Sequence, residues 1–365
     1  MDTTLPRDPD ALDYSLVVST LAVKVLFLTP WYPSEADAMS GLFVQKHVEA
    51  VRAQGVDVRV IFSSEWRDML SQWKTLRRKW GLPDVVQLNV IQKQGALALW
   101  LKRRYHIPYI IVEHWSGYLP ENGQYMRQSA TKKRFAQRVC ENAEVVMTVS
   151  RVLEQAMKRC GLKAKKWARV NNVVDDFFFS EYTKPQNQDK KILLHVSCFD
   201  ERAKNVKGLL RAAKILSEKR KDWHLVLVGT GIDYEDVRHY AENLDLPAEL
   251  LEWAGELIPN KVAELMKKSD ALVLCSRYET YGVVLAEAAV AGLRILSTPV
   301  GIAEEIGALI VPQEIAQNKP GRFAEFMEAI LWNETLHIEL MPCIKRFSAE
   351  AIGAQLKGVY ESIIK

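Results

Sequence analysis

Cysteine is scarce in this chain, and what there is does not pair by spacing. Cys140, Cys160, Cys198, Cys275 and Cys343 are an odd, scattered set with no Cys-x-x-Cys. That excludes a disulfide framework or a zinc ribbon and reads as free thiols in a reducing compartment. Long apolar runs are missing too. The stretch from Leu16 to Leu28 is broken by Lys24 and falls short of the roughly 18 residues a spanning helix needs. The N-terminus has no basic start followed by an apolar core, so residues 1–22 read as an irregular extension and the protein as cytoplasmic. Charge of one sign is not in excess: a net +4 is too small to argue for a nucleic-acid partner. Metal-ligating acids are also sparse at strand ends. The Asp-x-Asp pair, Asp8-x-Asp10, lies in the polar tail, so neither metal nor cofactor is expected.

What the chain does have is length and a core. With 365 residues, 48% hydrophobic and 26% charged, it is expected to form two ordinary domains. Strand and helix patterns alternate from Val23–Leu28 (strand) and Leu42–Gln54 (helix) through strands at Val56–Phe62, Asp84–Val90, Pro108–Glu113 and Val145–Val149. Apolar strands alternating with helices predict parallel sheets covered on both faces. A polar stretch containing Pro185 interrupts the pattern, which restarts at Lys191–Val196. We therefore read a first domain over 23–172, a linker over 173–190, a second domain over 191–345 and a terminal helix over 346–365 that packs back toward the first domain. Both domains are expected to be doubly wound α/β units facing a cleft. Ligands of such units bind beyond the carboxyl ends of the strands.

The most informative segment is Ser276-Arg277-Tyr278-Glu279-Thr280-Tyr281-Gly282-Val283-Val284-Leu285-Ala286-Glu287. An apolar strand precedes it, and helical spacing begins after Gly282. Such a turn aims free backbone N–H groups at one spot, where the helix dipole also favours an anion. The amides of Thr280, Tyr281, Gly282 and Val283 are the expected phosphate donors, with Gly282 permitting close approach. Glu279 and Glu287 flank them as acceptors for sugar hydroxyls. Together these groups point to a nucleotide-sugar site. Plainer readings stay open at this stage: Glu279 as a helix-dipole acid, Glu287 in a structural ion pair. Lys204 follows a strand end and would neutralise a leaving diphosphate, or belongs to a solvated basic face with Arg202 and Lys207. His114 ends a strand and faces the crevice, or is structural. Gly41 opens the first helix and offers a backbone N–H to a phosphate or acceptor, or is a plain helix start. Gly229-Thr230-Gly231 lacks the third glycine of a dinucleotide fingerprint, position 234 being Tyr234.

Residues 65–80 place Trp66, Met69, Leu70 and Trp73 on one helical face with basic residues around the rest. Two readings remain open: a helix packed on the sheet with Trp80 as anchor, or peripheral contact with the inner face of a membrane.

On these residues the chain resembles the retaining glycosyltransferases of family 4, which have the GT-B fold. Glu279 and Glu287 match the family's Glu-x7-Glu signature. Lys204-Asn205, Leu227-Val228-Gly229-Thr230-Gly231, Thr298-Pro299-Val300-Gly301 and Val170-Asn171-Asn172-Val173-Val174-Asp175 are similar to the family's other second-half motifs. Val112-Glu113-His114 and Thr29-Pro30-Trp31-Tyr32-Pro33 match more loosely. The resemblance implies transfer of a hexosyl or N-acetylhexosaminyl group from a nucleoside diphosphate sugar, UDP or GDP. The acceptor would be a hydroxyl of a glycan, a lipid-linked compound or a small molecule, with retention of configuration and no metal. It implies Glu279 and His114 at the donor sugar, Glu287 at the ribose and Lys204 at the diphosphate. Two features depart from the pattern. Ser197 and Cys198 stand where the family has an arginine, with Arg202 out of register, and the first domain is short. These departures leave a second reading, a catalytically impaired relative acting as a binding or assembly partner in glycan biosynthesis.

Overall fold

A computed structural model describes residues 22–35, 37, 39–180, 190–333 and 344–364. The N-terminal extension (apart from its last residue), Asp8-x-Asp10, Cys343 and residues 181–189 of the expected linker lie outside the described residues. The first half runs β1 (Lys24–Thr29), α1 (Leu42–Ala53), β2 (Asp57–Phe62), α2 (Trp66–Trp80), β3 (Val85–Asn89), α3 (Gln94–Tyr105), β4 (Tyr109–Glu113), α4 (Ala130–Asn142), β5 (Val145–Thr148), α5 (Arg151–Arg159) and β6 (Trp167–Arg169). The second half runs β7 (Lys191–Val196), α6 (Glu201–Lys204), α7 (Val206–Lys219), β8 (Trp223–Val228), α8 (Tyr234–Glu242), β9 (Leu251–Gly255), α9 (Pro259–Lys268), β10 (Ala271–Leu274), α10 (Val283–Val290), β11 (Arg294–Ser297), β12 (Leu309–Ile310), α11 (Gln313–Asn318) and α12 (Pro320–Trp332). Helix α13 (Ala349–Ile363) ends the described chain.

Each half forms a six-stranded sheet, ordered β2-β1-β3-β4-β5-β6 and β12-β11-β10-β7-β8-β9. Every strand pair is parallel. The central strands are largely apolar because both faces are covered, whereas the edge strands β2, β6 and β9 carry exposed polar residues. In β1, Val25 and Phe27 enter the core beneath α1 and α13, while Leu26 and Leu28 enter the opposite one. In β10, Ala271 and Val273 face one core and Leu272 and Leu274 the other. The core holding Leu26, Leu28 and Ile111 of the first sheet is contiguous with that holding Leu194, Leu272 and Leu274 of the second.

Chain order reverses between β1 and β3 in one sheet and between β7 and β10 in the other. Those two switch points are where a ligand crevice opens in doubly wound sheets. Helix α13 returns to the first half. Gly353 lets it approach α1 so closely that an added Cβ would lie 2.3 Å from the Ala50 carbonyl oxygen. Near its end the Tyr360 hydroxyl donates to Gln87 Oε1 at 2.6 Å.

Helix α2 connects β2 to β3 and packs on the sheet. Met69 and Trp73 are buried, and the Trp80 indole donates to Asp57 Oδ2 at 2.5 Å. Lys24 and Arg59 lie 5.8 and 5.7 Å from the Trp80 ring. Trp66 remains 42% exposed.

Candidate functional site

The turn after β10 is shaped by contacts that leave its amides free. Among the described residues no backbone N–H from Tyr278 to Val283 donates a hydrogen bond. Gly282, at φ 74, caps α10 at the left-handed conformation that glycine adopts without strain. Tyr281 contributes its backbone to the turn and turns its side chain away into the fold. Its phenol lies 3.5 Å from Asn171 Oδ1 and from the Asn172 carbonyl, at the join between the halves. The Tyr281 carbonyl accepts from Ile302 N at 3.0 Å. The Thr280 carbonyl accepts from the Ser150 hydroxyl, which also caps α5 in the first half.

Lys204 and Glu279 meet at the foot of this turn, Nζ to Oε1 at 2.5 Å, with both side chains 15% exposed. The Ser276 hydroxyl donates to the same carboxylate oxygen at 2.9 Å. Burial alone would push the Lys204 pKa down. Glu279 outweighs that and holds it above its ordinary value, with Cys198 and Asp200 adding to the pull. Lys204 ends the short helix α6, which stops because Asn205 takes the left-handed region at φ 52. The Asn205 amide donates to the Cys275 and Ala316 carbonyls, and its oxygen accepts from Arg277 Nη2 at 3.0 Å. Arg277 also donates to the Glu201 carbonyl. Arg277 and Asn205 therefore hold α6, and with it Lys204, against the loop that carries Glu279. Behind them His195 is buried. The Val273 carbonyl 2.9 Å from Nδ1 requires the proton there, which leaves Nε2 to accept from the Ser197 hydroxyl at 2.8 Å. Burial pushes its pKa down to about 4, so it is neutral.

The glycines of Gly229-Thr230-Gly231 serve the same neighbourhood. An added Cβ on Gly229 would lie 1.9 Å from the Ser197 carbonyl oxygen, and on Gly231 2.5 Å from Phe199 N. They let the turn after β8 pack on the loop that leads into Lys204. Arg202, the out-of-register arginine, donates to the Asn122 carbonyl of the first half at 3.2 Å.

Glu287 stands one turn into α10, half-buried, and among the described residues its carboxylate takes part in no hydrogen bond. Burial raises its pKa to about 7, with Lys46 opposing and Asp175 adding to the shift. Lys46 belongs to α1 and pairs with Asp175 at 2.8 Å.

His114 and Gly41 lie on the first-half side. His114 is buried, its ring 4.2 Å from that of Phe43 and 5.9 Å from that of His47. Its Nε2 is buried with no hydrogen-bond partner. Burial, helped by the neighbouring His47, holds its pKa well below the usual histidine range. Gly41 is the left-handed cap of α1 at φ 68, and an added Cβ would lie 2.3 Å from the Trp31 carbonyl group. It fixes the start of the helix that brings Phe43 to His114. Among the described residues no hydrogen bond links either residue to Glu279. The structure thus joins Lys204, Glu279 and the free amides in one cluster and leaves His114, Gly41 and Glu287 around it. A cleft cavity of 270 Å³ adjoins the cluster, lined by Arg277, Tyr278 and Glu279 on one side and by Leu119, Pro120 and Glu121 on the other.

One residue passed over as a site candidate braces this wall. Glu113 is fully buried and accepts from Ile91 N at 3.0 Å and from His114 N and Trp115 N at 2.9 Å each, with the Tyr118 hydroxyl at 3.5 Å. Burial pushes its carboxyl up to about 7 against these donors. Its adjacency to His114 was the available signal. A glutamine there has one acceptor oxygen for amides arriving on both sides. At about pH 8.5, Glu113→Gln is expected to lower the unfolding free energy in urea by about 1–3 kcal/mol. No change in the urea midpoint would show that the network contributes nothing.

Two facing doubly wound domains with an amide-lined turn at the second switch point define a GT-B protein. Two sequence profiles match nearly end to end, Glycosyltransferase Family 4 over residues 20–176 and Glycosyl transferases group 1 over residues 178–340. The chain belongs to the family 4 glycosyltransferases. It is 27% identical over 247 residues to N-acetyl-alpha-D-glucosaminyl L-malate synthase of Bacillus anthracis, covering 62% of this chain and 61% of that one. It is 25% identical over 288 residues to the glycosyltransferase MJ1178 of Methanocaldococcus jannaschii, covering 77% and 76%. The chain thus spans less than two thirds of the length of the first of these relatives. In fold it is similar to sucrose-phosphate synthase of Thermosynechococcus elongatus, with a TM-score of 0.72, 16% identity and coverage of 93% and 99%. It is likewise similar to Anabaena HepE in complex with UDP-glucose, with a TM-score of 0.66, 16% identity and coverage of 93% and 100%. Among the described residues no helix is long and apolar enough to cross a membrane.

Proposed function

We propose that the chain moves a sugar from a nucleoside diphosphate sugar to an acceptor hydroxyl, with retention of configuration and without a metal. The observation that carries this reading is the Lys204–Glu279 pair set beneath a row of undonated amides at the start of α10. A diphosphate bound to those amides gives Lys204 a second anion. Glu279 can then accept from the hydroxyls of the transferred sugar, and Glu287 from the ribose. The neutral His114 offers its unpartnered Nε2 to the sugar from the other side of the cleft. The acceptor hydroxyl attacks on the face from which the diphosphate leaves, and the leaving phosphate takes its proton. The protein supplies aim and charge stabilisation. HepE has been solved with UDP and with glucose, and the Bacillus anthracis relative is named for an N-acetylglucosaminyl group. A uridine diphosphate hexose or N-acetylhexosamine is accordingly the proposed donor class, and the cytoplasm the proposed compartment.

A thermal-shift panel of UDP, GDP, ADP and their sugars tests the reading. A rise in melting temperature with one base and its sugar is expected, and a flat response to all of them overturns it. The Glu287 carboxyl gives a pH test. Its pKa is raised to about 7, and only the ionised form can accept from both ribose hydroxyls. Donor affinity is therefore expected to rise as pH increases through 7 and to level off above it. Glu287→Gln should bind weakly and lose that slope. A wild-type affinity that is flat across the window removes Glu287 from the ribose.

A further inference from the structure

Two hollows on the first domain lie outside the donor site, and one side chain joins them. The first, of 470 Å³, is bounded by Gln92 and Lys93 after β3, Trp115 and Tyr118 after β4, and Lys132 and Phe135 of α4. The second, of 750 Å³, runs between α2 and α3 among Leu70, Trp73, Arg77, Arg78 and Trp100. Trp66 lines both.

Their chemistry is shared. No acidic residue lines either hollow. Lys93 and Lys132 in the first, and Lys74, Arg77 and Arg78 in the second, form no ion pair among the described residues. Nearby cations behave differently: Lys102 and Lys165 share Glu144, and Lys158 pairs with Glu154. The uncompensated set is held by neutral groups. Arg77 donates to the Tyr105 hydroxyl at 2.7 Å, and Lys93 to the Ser64 carbonyl at 3.4 Å. Beside these cations the apolar rings of Trp66 and Trp100 stay 42% and 39% exposed. Tryptophan rings in water next to unpaired cations match a ligand that is apolar along its length and anionic at one end.

The first hollow also bears the marks of a shaped wall. Val90 is buried in the left-handed region at φ 65, a strained place for a β-branched residue. It is kept there by Val90 N donating to the Val112 carbonyl and Ile91 N donating to Glu113. This turn leads Gln92 and Lys93 to the hollow. On the opposite side, the loop carrying Trp115 and Tyr118 continues into Leu119–Glu121, which lines the cleft cavity with Glu279. One loop therefore separates the hollow from the donor cavity.

We infer that these hollows bind the acceptor and that the acceptor is an amphipathic anion. Its phosphate or carboxylate lies at Lys93 and Lys132, its reacting hydroxyl extends past the loop carrying Trp115 to Glu121 toward the donor cavity, and its hydrocarbon chain passes Trp66 into the groove between α2 and α3. The aliphatic parts of Lys74, Arg77 and Arg78 border that chain while their charges stay in water. This rests on the transferase reading above and names the acceptor class it leaves open.

The test is calorimetric titration of the full chain with three probes: dodecyl phosphate below its micelle concentration, inorganic phosphate and dodecyl maltoside. Dodecyl phosphate is expected to bind at least about tenfold more tightly than either of the others. Trp66→Ala with Trp100→Ala should reduce it to the level of inorganic phosphate. Lys93→Gln with Lys132→Gln should reduce it to the level of dodecyl maltoside. The melting-temperature response to UDP, measured on every variant, reports that the donor side is folded and intact. Equal binding of dodecyl phosphate and inorganic phosphate, or of dodecyl phosphate and dodecyl maltoside, with the UDP response present overturns this inference alone. Dodecyl phosphate binding with no response to any nucleotide overturns the transferase reading, and the acceptor role with it.

Discussion

Lys204→Ala is expected to lower the rate of sugar transfer by about 10²–10³ at saturating acceptor, the usual loss when one well-aimed stabilising group is removed. The expectation follows from where the ammonium stands. Lys204 is 15% exposed, and Glu279 beside it keeps it protonated. In so dry a setting a positive charge facing a departing diphosphate acts through a low effective dielectric, so it stabilises the transition state far more than a surface charge does. The alanine variant also leaves Glu279 with only the Ser276 hydroxyl, free to swing away from the sugar. Lys207→Ala is the matched control. That lysine sits three residues on, pairs with Asp236 at 2.5 Å, and faces a partner that is 66% exposed. It should stay within about threefold of the wild type, as surface pairs contribute little. Release of free nucleoside diphosphate reports both rates. A Lys204→Ala enzyme as active as Lys207→Ala would reduce Lys204 to surface charge and remove the cation from the mechanism.

The central strands were legible because each lies between two layers of helices, which leaves it no exposed face. Val25–Leu28 and Ala271–Leu274 are buried at every position and read as unbroken apolar runs. The edge strands β6 and β12 were not foreseen. They have three and two residues, half open to water, too short to show any period. In the site, the grouping of Glu279 with the amides after it was legible because a strand, a turn and a helix follow one another within a dozen residues. Distant partners were not. Glu113 reads as the end of an apolar strand, and nothing local says that Ile91 N, 22 positions away, donates to its buried carboxylate. Tyr281 was read for its backbone alone, while its phenol reaches residues 110 positions away. The segment from Trp66 to Trp80 shows the limit of periodicity. One apolar stripe fits a sheet or a membrane equally: Met69 and Trp73 are buried against the fold, while Trp66 on the same stripe stays 42% exposed.

Gly301→Ala is expected to reduce donor affinity and transfer rate together, by about 10²-fold, the scale of a misplacement of about 1 Å at a reacting group. Gly301 is no ligand in the reading above. It lies behind the phosphate turn, at φ 53, with its missing side chain filled by the backbone of that turn. An added Cβ would lie 2.1 Å from the Tyr281 carbonyl oxygen, 2.5 Å from its carbon and 3.2 Å from Gly282 N. Such contacts cannot be relieved by a rotamer change, because every colliding atom is main chain. Nor can the turn retreat easily, since Tyr281 is buried on its far side and Thr280 is tied to Ser150. The movement must pass into the amides of Thr280 to Val283. Gly292→Ala separates this from simple backbone strain. Gly292 has φ 72, and an added Cβ would meet nothing within 4 Å. Alanine there should destabilise the fold by about 1–2 kcal/mol through the left-handed conformation alone, leaving donor affinity unchanged. Unfolding in urea and titration with UDP, run on both variants, read the two effects independently. If Gly301→Ala loses stability but binds the donor as Gly292→Ala does, the turn from Thr280 to Val283 is not the cradle of the diphosphate, whatever else the cleft holds.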